Sequence, residues 1–237
     1  MRSIFTLAKK ELFNYFSSPV GYIFAGLMLI IVNWLFFNNF FLAGQADLTE
    51  YWTNIALIMS LFVPAISMNL IAEERKNSTW ELFLSLPIKD KDLFLGKFIG
   101  SSFYLLMTLL LSIPVIITVF ILGNPGFGIV VCSLIGITLL VLSYLSLGLF
   151  MSSLTKQPIV SFMITTIILL INNMIGQNFF LVRLPPILRD IISGFSLNWR
   201  SSKFFTGLIE INDLIFFISW ISLFILMTII SLKSRSK

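Results

Sequence analysis

Six long runs of apolar residues limit what this chain can fold into. None of them contains Asp, Glu, Lys or Arg, and they cover residues 20–42, 55–71, 98–122, 127–151, 158–176 and 214–232. A helix needs roughly 20 apolar residues to cross a bilayer. Hydrophobic residues make up 57% of the chain, which is more than a soluble domain can bury. The runs are continuous, whereas the strands of an outer-membrane barrel alternate in polarity. The sequence therefore predicts an all-α, polytopic membrane protein with six transmembrane helices.

The basic residues indicate the orientation of these helices. If the N-terminus is cytoplasmic, 12 of the 16 Lys and Arg residues lie in cytoplasmic segments, and the other four lie in the long segment 177–213. Short loops rich in Lys and Arg stay on the cytoplasmic side of a membrane. We therefore expect a multi-pass protein of a bacterial cytoplasmic (inner) membrane, with both termini in the cytoplasm.

Residues 1–19 are predicted to form an interfacial helix. On a helical wheel, Lys9, Lys10 and Asn14 share one side. The opposite side is apolar and consists of Ile4, Phe5, Ala8, Leu12, Tyr15 and Phe16. A helix with this pattern lies in the plane of a membrane surface, here as an elbow before the first span. A basic segment that only sets the topology is the alternative.

Segment 177–213 is predicted to be an extracytoplasmic re-entrant or interfacial segment. It is half apolar, but its apolar pieces are too short to cross a bilayer, and Pro185 and Pro186 separate them. The length of the segment favours packing against the membrane over a free loop. A simple capped loop is the alternative.

The polar segment 73–97 separates the second apolar run from the third. It holds ten of the chain's 27 charged residues. It also holds apolar residues that need cover from lipid or a partner protein, namely Trp80, Leu82, Phe83, Leu84 and Leu86. Good helix formers predict a helix from Glu73 to Leu86, which Pro87 ends. Asp90 can cap a second short helix. A solvated connector is the simpler interpretation, but such a connector needs fewer apolar residues.

The same segment carries a motif of a known family. It reads Glu73-Glu74-Arg75-Lys76-x-x-Thr79-x-Glu81-Leu82-x-Leu84-x-x-Pro87 and ends at Leu95-Gly96-Lys97. This motif resembles the cytoplasmic loop of ABC-2 type transporter permeases. Further similarities are Lys9-Lys10-Glu11, Ser17-Ser18-Pro19, Leu122-Gly123-Asn124-Pro125 and residues 148–155. Together they cover essentially the whole chain. It most resembles the gliding-motility-type permeases, with the nitrous-oxide-reductase-maturation type as a neighbouring possibility. Ser78 stands where the family commonly has Gly, and Lys89 where it commonly has Ser or Thr.

The resemblance implies a single ABC-2 type transmembrane domain over residues 1–237, acting as the permease subunit of an ATP-driven exporter. In this family the loop forms a coupling helix that binds a separate ABC ATPase subunit. The residues that the resemblance assigns to this contact are Glu74, Arg75, Thr79, Trp80, Glu81 and Phe83. The resemblance also implies that spans two and five line a conduit between two permeases, as they do in family members. The candidate lining residues are Asn69, Thr165, Asn172 and Asn173. The second permease is a copy of this chain or a related one, and an extracytoplasmic protein is a further candidate partner.

Catalysis is not expected on this chain. It has no His and no Gly-x-x-x-x-Gly-Lys-Ser/Thr loop, so ATP and Mg²⁺ are expected on the partner subunit and no cofactor or metal on this one. Membrane lipid is an expected partner, and nucleic acid is not. Ion-coupled carriers usually keep ionisable groups near the bilayer midplane, and their absence from the six runs favours an external energy source. A force-transmitting ABC complex without cargo and an ATP-independent carrier or channel are the alternatives. A membrane enzyme would need a reactive group of residues, and the sequence offers none.

Overall fold

The part of the chain that the structure describes is almost entirely helical. The computed structural model describes residues 2–43, 47–77, 90–123, 125–175, 185 and 193–233. Within these residues there is no strand. The helices are α1 (Arg2–Ser17), α2 (Pro19–Ala43), α3 (Thr49–Met68), α4 (Glu74–Lys76), α5 (Asp90–Leu110), α6 (Ile113–Leu122), α7 (Phe127–Leu154), α8 (Pro158–Ile175), α9 (Leu197–Phe205) and α10 (Ile211–Lys233). A π-turn, Asn69–Glu73, joins α3 to α4.

Among the described residues, six helical segments are long and apolar enough to cross a membrane, which confirms the predicted fold class. Spans 1 to 6 are Pro19–Phe40, Thr49–Lys76, Lys91–Leu122, Phe127–Leu154, Pro158–Ile175 and Ile211–Ser231. Span 2 begins at Thr49 instead of residue 55, and span 3 at Lys91 instead of residue 98. The predicted limits were too short at these ends because charged and polar helix formers continue a helix beyond its apolar run.

Two charged residues are buried inside helices whose membrane spans were predicted to contain no charge. Lys97 and Asp213 were expected just outside the third and sixth spans. In the structure each lies within the helix that forms the span, and they are 4% and 0% exposed. A buried charge is tolerated when a partner compensates it, and both residues form ion pairs. Uncharged runs therefore understate the length of these two helices.

Span 3 differs from its prediction in two places, at the beginning of α5 and immediately after its end. The predicted second short helix is not separate, because α5 begins at Asp90 and continues to Leu110. Span 3 itself, predicted as one helix, is broken by a turn at Leu111 and Ser112. Pro114 explains the break, since it lacks the amide hydrogen that would bond to the Leu110 carbonyl.

Spans 2 and 4 form the centre of the bundle. Of the most apolar stretch of span 2, 67% is buried, against 17% for span 6. The two central helices approach closely at Gly148, where an added Cβ would lie 2.8 Å from the Ser67 Cβ. Span 1 is attached to span 2 by a hydrogen bond that the Tyr51 hydroxyl donates to Asn33 Oδ1 at 3.3 Å. Small residues in the core therefore let backbones approach, and polar ones bond between helices.

Helix α1 packs along α5. Ala8 is buried and Leu7 lies against α5, whereas Phe5 and Phe16 are 75% and 40% exposed. The exposed Phe side chains are available to lipid, and the position of α1 in the membrane surface stays a prediction. Polarity alone does not show which side of α1 meets the small residues of another helix, and this packing decides which side is buried.

Candidate functional site

Two of the six predicted coupling residues, Glu74 and Arg75, lie at one end of the bundle. There, segment 78–89 connects Asn77 to Asp90, and this end is called the loop end below. Glu74 and Arg75 are described, and contacts within the bundle hold both. The other four, Thr79, Trp80, Glu81 and Phe83, lie outside the described residues, as does most of the helix predicted over 73–86. The geometry available is therefore that of the two roots of the loop, α4 and the beginning of α5.

A π-turn sets the direction in which span 2 leaves the bundle. Within Asn69–Glu73, the Ser152 hydroxyl of α7 enters the backbone hydrogen-bond ladder. Ser152 Oγ accepts hydrogen bonds from the amides of Ile71 and Ala72 at 3.2 and 3.0 Å. It donates one to the Met68 carbonyl at 3.1 Å. A side chain inserted into the ladder is a recognised cause of helix irregularity, and π-turns are frequent at functional sites.

Lys97 joins the two roots of the loop. Its Nζ lies 2.6 Å from Glu74 Oε1 and donates to the Leu70 carbonyl at 2.5 Å. The side chain of Lys97 is 5% exposed and that of Glu74 is 20% exposed. An ammonium group buried to this degree needs oxygen partners in place of water. Spans 2 and 3 are therefore connected by a buried ion pair at the point where the loop begins and ends.

Arg75 joins the loop to span 4. Its Nη1 donates to the Ser153 carbonyl at 2.6 Å, a charge-assisted hydrogen bond between α4 and α7. Ser152 and Ser153 thus hold two successive parts of the chain, the π-turn and the helix that follows it. The sequence predicted Glu74 and Arg75 as contacts for a partner, and the structure places both against neighbouring spans.

An acidic cleft of about 520 Å³ opens beside the ion pair. It lies between α1, the beginning of span 1 and the roots of the loop, and its charged lining residues are Glu11, Glu73, Glu74 and Lys97. Burial raises the pKa of Glu11 above its ordinary value of 4.5, while Lys97 opposes this rise and Glu74 adds to it. Within the described ranges, no three His, Cys, Asp or Glu residues are placed to hold a metal ion.

Two glycines bring α1 against the root of span 3. A Cβ on Gly96 would lie 2.6 Å from the Leu7 Cβ, and a Cβ on Gly100 would lie 2.7 Å from the Glu11 Cβ. Larger residues cannot be placed at these distances, so the small side of α5 sets the position of α1. Helix α1 continues into span 1 through Ser18 alone. Span 1 is therefore connected to the root of span 3 through α1.

The candidate conduit residues fall in two places. Asn69 belongs to the π-turn, is exposed, and lines the cleft at the loop end. Thr165, Asn172 and Asn173 belong to α8. Thr165 is fully buried, and its hydroxyl donates to the Ser161 carbonyl of its own helix at 2.8 Å. Thr165 also lies beside Gly148, where an added Cβ would meet both it and Ser67 of α3, and Asn69 follows Ser67 by two residues.

The two asparagines of α8 attach it to its neighbours. Asn173 is buried, and its Nδ2 donates to the Tyr144 hydroxyl of α7 at 3.2 Å. Asn172 Oδ1 accepts a hydrogen bond from the Leu197 amide at the start of α9, at 3.0 Å. These bonds position α8 between α7 and α9. Whether the same residues line a conduit with a second permease stays a prediction.

A cluster of ion pairs at the opposite end of the bundle was not foreseen. The Asp213 side chain is 1% exposed and lies 2.5 Å from Arg200 Nη1 and 3.3 Å from Lys203 Nζ. Lys203 also pairs with Glu210 at 2.8 Å, which raises the pKa of Lys203. The Arg200 guanidinium lies 4.1 Å from the centre of the Phe216 ring. The signal in the sequence was an acidic residue immediately before the last apolar run.

Comparison with models of protein families shows the family to which the chain belongs. The model of the family described as ABC-2 family transporter protein matches residues 5–234, which include all six spans and both roots of the loop. No curated protein matches the chain. The match supports the family and does not support either particular branch suggested by the loop motif. The chain belongs to the ABC-2 family of transporter proteins and is a transmembrane permease subunit of an ABC transporter.

Proposed function

We propose that this permease subunit belongs to an exporter and receives the energy of ATP through segment 78–89 from a separate ATPase subunit. The loop end and both termini face the cytoplasm of a bacterial cell, because 12 of the 16 basic residues lie on that side. ATP and Mg²⁺ bind to the partner. This chain provides the surface that the partner moves and the spans that respond.

The observation that carries the proposal is the attachment of both roots of the loop. Lys97 joins one root to the other, and Arg75 joins α4 to span 4 through the Ser153 carbonyl. A flexible connector needs neither contact, and burying a lysine costs free energy unless its charge is compensated. A force applied to the loop therefore reaches spans 2, 3 and 4 together, as a movement of packed helices.

The predicted coupling residues then divide into two groups. Glu74 and Arg75 hold the root of the loop, as their contacts with Lys97 and Ser153 indicate. We assign the contact with the ATPase to the remaining four, Thr79, Trp80, Glu81 and Phe83. Aromatic residues supply most of the affinity of protein interfaces, and charged ones mainly select the partner.

A second permease, identical or related, completes the transporter in this proposal. One side of span 5 exposes apolar residues that need cover from lipid or protein, among them Met163, Ile167 and Ile171. Asn69, Thr165, Asn172 and Asn173 are proposed to face the conduit when the two permeases move apart. An extracytoplasmic protein is a further proposed partner.

Co-purification from native membranes in mild detergent tests the coupling, with ATP hydrolysis measured on each eluate. The wild type is expected to retain a separate ATPase chain, and Phe83→Asp is expected to lose it. Lys156→Asp is the matched control, because Lys156 is exposed and lies in the short connection between spans 4 and 5 on the same side. The proposal fails if Phe83→Asp keeps the ATPase. It also fails if the wild type elutes alone and transports in liposomes without ATP.

A further inference from the structure

The Ser152 hydroxyl makes all of its hydrogen bonds with the π-turn of span 2. A hydroxyl group has one hydrogen to donate and two lone pairs with which to accept. The hydrogen is directed to the Met68 carbonyl, and the lone pairs accept the amides of Ile71 and Ala72. Ser152 is fully buried, so bulk water does not compete for these groups. The hydroxyl is therefore an integral part of the turn.

Without this hydroxyl, the same backbone groups are able to bond to each other. In a regular α-helix the Ala72 amide donates to the Met68 carbonyl, four residues earlier. The Ser152 hydroxyl lies between these two groups and bonds to both. The segment therefore has two states with satisfied hydrogen bonds. One is the π-turn closed by Ser152, and the other is a continuous α-helix from which Ser152 is withdrawn.

Lys97 supports the first of these states. In the π-turn the Glu74 amide donates to the Ile71 carbonyl, whereas a regular helix would direct it to the Leu70 carbonyl. The Leu70 carbonyl accepts from Lys97 Nζ instead. Conversion of the turn to an α-helix moves every later residue by one helical position, a rotation of about 100°. Glu74 then turns away from Lys97.

We propose that the π-turn Asn69–Glu73 is a register switch at the root of the loop, and that Ser152 and Lys97 are positioning residues that hold it in the π register. The inference rests on the proposed function. A pull on segment 78–89 separates Glu74 from Lys97, and the turn then relaxes to an α-helix. Because Ser152 belongs to α7, the same step rotates the root of the loop and withdraws the Ser152 hydroxyl from span 2, while the close packing of Gly148 against Ser67 keeps span 4 beside span 2.

Spin-label distances measure the register directly. Cys132, the single cysteine of the chain, is replaced by Ala, and labels are placed at Lys76 in α4 and Lys156 after span 4, both of which are exposed. The protein is studied in lipid nanodiscs. A rotation of about 100° at a side-chain radius of about 5 Å displaces the label at Lys76 by up to about 8 Å. Ser152→Ala is expected to produce a second distance population, shifted by up to this amount.

Two serines of α7 provide matched controls. Ser146 is buried and its hydroxyl donates within α7, and Ser153→Ala preserves the backbone carbonyl that Arg75 contacts. Both alanine variants are expected to keep the wild-type distance. Deletion of Asn69 in the Ser152→Ala background removes the extra residue of the turn. This deletion is expected to restore the wild-type distance, which a general loss of packing would not do.

The outcomes separate the switch from the proposed function. An unchanged distance in Ser152→Ala overturns the switch, as does a shift that Ser146→Ala shares or that deletion of Asn69 does not reverse. If the distance shifts as expected but Phe83→Asp keeps the ATPase, the switch stands and coupling through the loop fails. If Phe83→Asp loses the ATPase and the distance in Ser152→Ala is unchanged, the switch alone fails.

Discussion

In the part of the chain that the structure describes, each end of the helical bundle buries one charged side chain, but the two side chains have different partners. At the loop end, Lys97 pairs with Glu74 of another span, across segment 78–89. At the opposite end, Asp213 pairs with Arg200 of α9, the helix that directly precedes α10. The first contact joins distant parts of the chain at the place where the loop leaves the bundle. The second closes a short local connection.

In the proposed mechanism the first contact transmits movement, whereas the second fixes a local shape. Asp213 has a second cation, Lys203, within 3.3 Å, so the loss of Arg200 leaves it partly compensated. Breaking the pair between Lys97 and Glu74 changes the relation between spans 2 and 3. Variants at both ends therefore test whether a similar ion pair has a larger effect when it joins distant segments.

Removal of Glu74 should have the largest effect, because it leaves the buried ammonium group of Lys97 without its carboxylate partner. We expect Glu74→Ala to lower the free energy of unfolding by about 3 kcal/mol. Glu73→Ala is the control, since Glu73 is adjacent and exposed. Thermal unfolding in detergent, followed by tryptophan fluorescence, gives the comparison. Equal losses in the two variants would contradict a stabilising role for the pair.

Replacement of Gly100 should have the next largest effect. A Cβ there would lie 2.7 Å from the Glu11 Cβ and 2.8 Å from the Ala8 carbonyl oxygen, so Gly100→Val must displace α1. We expect a loss of about 2 kcal/mol in the unfolding experiment. Gly26→Val is the matched control, because a Cβ on Gly26 of α2 meets no atom within 4 Å. If both valine variants unfold alike, close packing does not hold α1 in place.

Loss of Arg200 should cost less than loss of Glu74. We expect about 1 kcal/mol for Arg200→Ala, because Lys203 still faces the Asp213 carboxylate. The double variant with Lys203→Ala should cost more than the two single losses together, since it leaves Asp213 without either cation. Unfolding of the four proteins of this cycle gives the coupling. Strict additivity would mean that the two cations do not compensate for each other.

The smallest effect is expected at Glu11 and depends on pH. Its folded-state pKa lies above 4.5, so the native state binds the proton more tightly than the unfolded state. Stability is therefore lost as the pH rises from about 4.5 through the raised pKa. Glu11→Gln lacks this loss and should be the more stable protein at pH 8, with the difference vanishing near pH 4. Parallel Tm curves for the two proteins between pH 4 and pH 8 would count against the burial of this carboxyl.

The sequence was sufficient to predict the six membrane spans, because lipid imposes a length and a polarity on every helix that crosses it. The same rule did not predict the parts of a helix that contact protein instead of lipid. Lys97 was assigned to a polar segment, whereas the carboxylate of Glu74 and a backbone carbonyl allow it to be buried. The break in span 3 was detectable in principle, since Pro114 lies inside the third apolar run.

The candidate site was predictable only in part, because its main contacts join residues far apart in the sequence. The motif identified Glu74 and Arg75, but a single sequence carries no signal that pairs Ser152 with the amides of Ile71 and Ala72. The Gly96-x-x-x-Gly100 spacing is the exception, since small residues four apart indicate close helix packing. That pattern is a signal for a helix docked on α5, although no such contact was predicted.

The break in span 3 has a consequence for how far a movement can travel. The turn at Leu111 and Ser112 divides span 3 into two helices, so a displacement of α5 by the loop need not bend or shift α6. Span 4 has no such turn, and its 28 residues form a stiff rod about 42 Å long. In the proposed mechanism, a movement of the loop therefore displaces only the part of span 3 at the loop end, whereas span 4 transmits the movement across the bilayer. Distances between spin labels on α6 and α7, compared with and without ATP, would test this division.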